Sequence, residues 1–158
     1  MDEPRWLDER EDRAWRGYRR MRRLLDLTLA RELMQDAGLS EPDYDVLSDL
    51  SEAPEQRLRL SELADRMLWS RSRLSHHLSR MQQRGLVTRE ECPSDGRGSI
   101  VALTPAGRAA IAAAAPGHVA AVRRHLIDLL TPEEVIALGA LTQRVVDRLA
   151  GRPAVPEA

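Results

Sequence analysis

The chain has no phenylalanine, no lysine and one cysteine in 158 residues. A single cysteine excludes an intrachain disulfide framework. With aromatics at 3%, leucine, alanine, valine and methionine must fill any core, and a hydrophobic fraction of 42% suffices for one. No apolar run approaches the roughly 20 residues needed to cross a bilayer. The opening, MDEPRWLDERED, is charged throughout and lacks the apolar stretch of a signal peptide. A soluble, cytoplasmic protein with no membrane partner is expected. Also missing are a glycine-rich nucleotide loop, a metal-ligand constellation and a nucleophile–base pair with usable spacing, so neither an enzyme nor a cofactor is expected. All 24 basic residues are arginine. The absence of lysine is uniform along the chain, which matches the coding bias of a GC-rich genome and marks no site.

The net charge of −1 hides an uneven distribution. Residues 1–56 carry −6, residues 57–103 carry +4 and residues 104–158 carry +1. A local basic face attracts phosphate even on a nearly neutral chain. The basic segment is also the one with the most informative order of elements.

Apolar residues at Trp15, Tyr18, Met21, Leu25 and Leu29 predict one helix over about 8–37, ended by Gly38. Its apolar arc is wider than a small lobe needs. Ser40–Asp43 has capping-box spacing ahead of a helix to about Leu50. Leu58–Leu60 reads as a short edge strand, Ser61 as the cap of a helix, and Ser70 as the cap of the next, which runs to about Arg84 and stops at Gly85. Leu86–Glu91 and Ser99–Leu103 read as paired strands around a Pro- and Gly-containing loop. Thr104-Pro105 starts another helix. Pro116-Gly117 should kink or interrupt it. Thr131–Glu134 has capping-box spacing for a last helix, with Val135, Leu138, Leu141, Val145 and Leu149 on one face.

This order predicts a mainly α fold with a small β-wing: a winged helix-turn-helix lobe (39–104), an N-terminal dimerisation helix (1–38), C-terminal dimerisation helices (105–150) and a flexible tail (151–158). Neither terminal helix has an obvious seat on a lobe of about 65 residues. Two copies related by a twofold axis would bury both apolar faces. Such a homodimer would set two recognition helices about one turn of duplex DNA apart, the geometry of an inverted-repeat (palindromic) operator.

At 100° per residue, Leu74, His77, Leu78 and Met81 share one side of the Ser70-capped helix, and Ser72, His76, Ser79 and Gln83 the other. Small polar residues opposite a buried stripe let a helix sink into the major groove. Ser72, Arg73, Ser75 and His76 are the predicted base-edge contacts, with Arg73 the best candidate for a bidentate contact to guanine. Arg71 and Arg80 are expected on phosphates, and Ser70 offers its hydroxyl and N–H to one. Arg97 at the wing tip is expected to enter the minor groove. Asp95 would orient Arg97 or hold the turn. Trp69 reads as a core plug at the corner between the two helices.

Leu63-Ala64, the Ser70-x-Ser72-x-Leu74-Ser75 run, Arg84-Gly85-Leu86-Val87, Asp95-Gly96-Arg97 and Leu103-Thr104-Pro105-Ala106-Gly107, in this order, resemble the MarR family of bacterial regulators. The resemblance implies a homodimer built on the terminal helices, repression of transcription from a palindromic operator, and release by a small ligand or an oxidant. Leu68-Trp69 departs from the family, where a small residue and an aliphatic are common. A ligand pocket would lie between the dimer helices and the winged lobe. Trp15, Tyr18, Arg22 and Tyr44 could line it for a small aromatic or anionic effector.

Other switches fit less well. The oxidant-sensing branch places a cysteine early in the first helix, whereas Cys92 lies at the wing base with no second thiol in the chain. His118 and His125 are two helical turns apart, roughly 10 Å, and cannot chelate one ion together. A zinc-responsive regulator of the same fold and a winged helix used for protein contacts stand as the alternatives, the second opposed by the basic charge of residues 57–103.

Overall fold

The computed structural model describes residues 4–91 and 98–151. Cys92, Asp95 and Arg97, and the tail from residue 152 onward, lie outside the described residues. The chain divides into two compact units, residues 1–119 and 120–158.

The first unit begins with α1 (Glu9–Ala37), capped by Asp8, whose carboxylate accepts from the N–H groups of Arg10 and Glu11. Gly38 ends it in the left-handed conformation (φ 64°), donating back to Met34. α2 (Glu41–Glu52) starts on a reciprocal Ser40–Asp43 capping box. A 3₁₀ turn at Pro54–Gln56 leads to β1 (Arg57–Arg59) and then directly into α3 (Leu60–Arg66). Ser61 is therefore not a cap: α3 begins two residues earlier than such a cap would start it, with Arg59 at the N-cap position and no side-chain cap. The strand hands the chain straight to the helix while Leu58 and Leu63 are drawn into the core.

α4 (Arg71–Gln83) follows, with the Ser70 hydroxyl accepting from the Arg73 N–H. Its C-terminus closes through Gly85 (φ 73°). The Gly85 N–H donates to Gln82 and the Leu86 N–H to Met81, the two bonds of a Schellman cap. β2 (Val87–Glu91) and β3 (Ser99–Leu103) pair antiparallel, as predicted. β1 pairs with the other edge of β3, so the sheet order is β1-β3-β2 and Leu58 faces Val101. Val46, Leu47, Leu50, Leu63, Leu74, Leu78, Met81, Val87 and Val101 are fully buried where α2, α3, α4 and the sheet meet. Each such side chain contributes about 1.5–3 kcal/mol.

α5 (Pro105–His125) starts from Thr104, whose hydroxyl accepts from the Gly107 N–H and lies 2.6 Å from the Gly85 carbonyl. A Cβ on Gly107 would stand 2.0 Å from the Leu86 carbonyl oxygen. Gly107→Ala is accordingly expected to destabilise the protein by about 2 kcal/mol, measured by urea unfolding, because the obstacle is backbone rather than a movable side chain. Pro116 does not interrupt α5, which is helical without a break from Pro105 to His125. The alanines flanking the proline have the highest helix propensity, which offsets the one backbone bond it cannot make.

In the second unit a 3₁₀ turn (Ile127–Leu129) precedes α6 (Pro132–Leu149), which opens on the predicted Thr131–Glu134 capping box. No residue of α6 is buried: Ile136, Leu141, Val145, Val146 and Leu149 are all at least half exposed. Among the described residues no helix is long and apolar enough to cross a membrane.

Candidate nucleic-acid interface

The corner between α3 and α4 brings the predicted contact residues to the surface. Leu68 takes the left-handed conformation (φ 54°) and is 92% exposed, while the Trp69 N–H reaches back to the Ala64 carbonyl at 2.9 Å. The left-handed conformation costs any residue that carries a Cβ, leucine included. Trp69 packs against the core, as expected of a plug. It does something more, because the Arg73 guanidinium lies 3.8 Å above its ring and the His77 ring meets it edge-on at 5.6 Å. The indole is a shelf that orients the Arg73 fork.

α4 presents the two faces its periodicity predicts. Leu74, Leu78 and Met81 are fully buried, and Ser72, His76, Ser79 and Gln83 are exposed. Arg71, Ser72 and His76 make no side-chain hydrogen bond or ion pair among the described residues. Ser79 is engaged, since its hydroxyl donates to the Ser75 carbonyl at 3.0 Å. Ser75 sits half-buried on the flank that meets β2. Its hydroxyl and carbonyl oxygens both accept from Arg89 Nη2 of β2, at 3.0 and 3.1 Å. Arg73 and Arg80 occupy the opposite flank.

Beneath that flank lies a polar network that sequence reasoning missed. Arg80 Nη2 donates to His77 Nδ1 at 3.0 Å. A guanidinium cannot accept, so the neutral imidazole carries its proton on Nε2. That nitrogen stands 3.1 Å from Asp43 Oδ1, at an angle short of a regular hydrogen bond. Asp43 also accepts from Arg84 Nη1 at 2.6 Å and from the Ser40 N–H at 3.1 Å. Arg84 Nη2 donates to the Gly38 carbonyl, tying the end of α4 to the α1–α2 junction. Burial pushes His77 below the ordinary imidazole value; Asp43 pulls the other way, and Arg80 and Arg84 add to the lowering. Burial opposes the Asp43 carboxylate, but the bonds from Arg84 and Ser40 outweigh it and hold its pKa below the usual value. Arg89, 14 residues from Ser75, and Arg84, 41 from Asp43, gave no local signal. Only the match of Arg84 to a family motif hinted at a role.

Three of the predicted effector residues lie on α1 and the fourth, Tyr44, on α2. Trp15 and Tyr18 stack on each other at 5.9 Å on exposed α1. Tyr44 instead places its ring 4.3 Å from that of His118. Arg22 is exposed on α1. A shallow concavity of about 420 Å³ is lined by Arg16, Arg19, Arg20, Arg23 and Leu24, and by none of the four. Among the described residues no three His, Cys, Asp or Glu side chains stand together as a metal site.

Comparison with known proteins agrees with this architecture. The sequence model of the MarR family matches residues 37–98. The transcriptional regulator HosA of Escherichia coli is 32% identical over 102 residues, covering 64% of this chain and 73% of HosA. AbsC, a MarR family transcriptional regulator from Streptomyces coelicolor, superposes with a TM-score of 0.90 at 42% identity, over 94% of this chain and 100% of AbsC. Sco3205, a MarR family regulator from the same organism whose structure contains DNA, gives a TM-score of 0.90 at 44% identity over 94% of this chain and 93% of its own. Carrying a winged helix-turn-helix and having relatives of this likeness, the chain belongs to the MarR family, whose members are transcriptional regulators and not enzymes.

Proposed function

We propose that the protein is a homodimeric repressor that binds an inverted-repeat operator through α4 and the wing, and that a small aromatic or anionic effector releases it. The observation that carries this reading is the division of α4 into a fully buried stripe and an outward stripe of small polar residues flanked by arginines. Nothing in the described fold explains why Arg71, Ser72 and His76 face solvent together, whereas a major groove does. The DNA bound by Sco3205 supports the same use of the lobe here. In this reading residues 39–104 form the DNA-reading lobe. Residues 1–38 and 105–150 supply the dimer contacts, which accounts for the exposed Trp15, Met21, Leu24 and Leu27 of α1 and the exposed apolar residues of α6. The operator locates the protein in the cytoplasm, beside the chromosome. The Trp15–Tyr18 stack and the arginines of α1 suit an effector with a ring or a negative charge.

The test is selection of bound duplexes from a genomic library by the purified protein. Enrichment of a palindrome is expected. Failure to retain any duplex would instead favour a winged helix used for protein contacts. Against the selected site, Arg73→Ala should cost roughly 1–3 kcal/mol of affinity and relax one base pair. Equal weakening on selected and random DNA would make Arg73 a phosphate contact only.

A further inference from the structure

Ser75 and Arg89 form a pair whose chemistry goes beyond holding the fold together. Arg89 Nη2 has two hydrogens, and two acceptors of the same residue receive them: the Ser75 carbonyl and the Ser75 hydroxyl oxygen. A serine hydroxyl has one hydrogen and two lone pairs. Arg89 can only donate, so it occupies one lone pair, and its positive charge weakens the remaining lone pair as an acceptor while strengthening the O–H as a donor. Among the described residues that hydrogen has no acceptor. Ser79, one turn further along α4, is the contrast, because its hydroxyl hydrogen is spent on the Ser75 carbonyl.

Arg89 is also a poor stabilising device. Its side chain is partly buried, yet its Nε–H is buried with no acceptor among the described residues. An apolar residue would fill the space between β2 and α4 without that cost. What the guanidinium does well is couple two elements: β2 leads into the wing, and Ser75 lies on the flank of α4 that meets β2.

The geometry points to Arg89 as a specificity-determining positioning residue: from the base of the wing it fixes the Ser75 hydroxyl as a hydrogen-bond donor toward the DNA. The inference rests on the reading of α4 as the groove-entering helix. In the major groove, guanine N7 and O6, adenine N7 and thymine O4 accept, whereas cytosine offers only its amino donor. A Ser75 held as a donor therefore favours an acceptor-bearing base and disfavours cytosine at the position it faces. Arg89 sets this preference without touching the base.

The experiment is parallel selection from a randomised duplex library with full-length wild type, Ser75→Ala, Arg89→Ala, Arg89→Lys and the Ser75→Ala/Arg89→Ala double variant. The salt dependence of binding is measured for each. Wild type should disfavour cytosine at one position per half-site by about tenfold, the worth of one net hydrogen bond. Ser75→Ala and Arg89→Ala should each erase that preference at the same position, and the double variant should erase no more. Arg89→Lys, whose ammonium can still donate to Ser75, should retain most of it. If Arg89→Ala fails to fold, Arg89→Met replaces it in the comparison, with a long side chain that has no hydrogen-bond donor. The clamp is overturned if the Ser75-dependent preference survives loss of the guanidinium. It is equally overturned if Arg89→Ala lowers the salt slope by about one, the mark of a direct phosphate contact. Enrichment of no sequence by wild type would remove the groove-reading role of α4 itself, an outcome distinct from an ordered operator whose selectivity ignores Arg89.

Discussion

Val145→Asp is expected to turn the proposed dimer into a monomer and to weaken binding to its proposed operator by about a hundredfold or more. Val145 lies in α6, 51% exposed, beside Leu141, Val146 and Leu149, which are exposed to the same degree or more. A helix with this many large apolar side chains in solvent requires a cover. Each side chain covered by a second copy would stabilise the pair by up to about 1.5–3 kcal/mol. A carboxylate in the centre of that cover has no partner there and must be desolvated, which costs several kcal/mol. Loss of the dimer removes the second half-site contact, and with it the intramolecular advantage that makes two modest contacts into one tight one. Sedimentation velocity reads the oligomeric state and a gel shift reads the affinity. A Val145→Asp protein that remains dimeric and binds normally would place the interface elsewhere.

Asp43→Ala is expected to cost about 2–4 kcal/mol of stability. The carboxylate is 4% exposed and serves Arg84, the Ser40 N–H and the face of His77 at once. Its removal leaves the Ser40 N–H and the Arg84 Nη1 without their acceptor and takes the negative charge away from the buried His77 ring. The exposure of Arg84, at 44%, keeps the loss from reaching the full cost of a broken buried pair. The same network gives the stability a defined pH dependence. His77 has a lowered pKa in the folded state, so the unfolded chain takes up a proton first as pH falls through about 6.5, and stability drops. Asp43 also has a lowered folded pKa, so a second loss begins near 3.8 and ends at its depressed value. Urea unfolding across pH 8 to 3 should show both stages in the wild type and only the first in Asp43→Ala. A wild-type profile flat between pH 8 and 5 would contradict the role given to His77.

What could be read from the residues in advance follows the range of the interactions. The capping boxes at Ser40 and Thr131 and the Ser70 cap join residues three apart, and all three stand in the structure. The faces of α4 were equally legible, because burial repeats with the helical period. Ser61 misled because α3 takes its start from the strand before it, not from a local cap. Pro116 does not interrupt α5, because one missing hydrogen bond is weaker than the alanine-rich helix around it. Strand β1 was anticipated as an edge, while its pairing with β3 depends on residues more than 40 positions away. The candidate site divides the same way. Exposed Ser72 and His76 follow from periodicity. The Trp69 shelf, the Asp43–His77–Arg84 network and the Arg89 hold on Ser75 need tertiary structure to bring the partners together.

Hydroxyl-radical footprinting on the selected duplex reads the spacing on which the regulator assignment depends. Two symmetry-related sets of protections, centred roughly 10 base pairs apart on one face of the helix, are predicted for a pair of chains presenting α4 to successive major grooves. A single unpaired set of protections would contradict it.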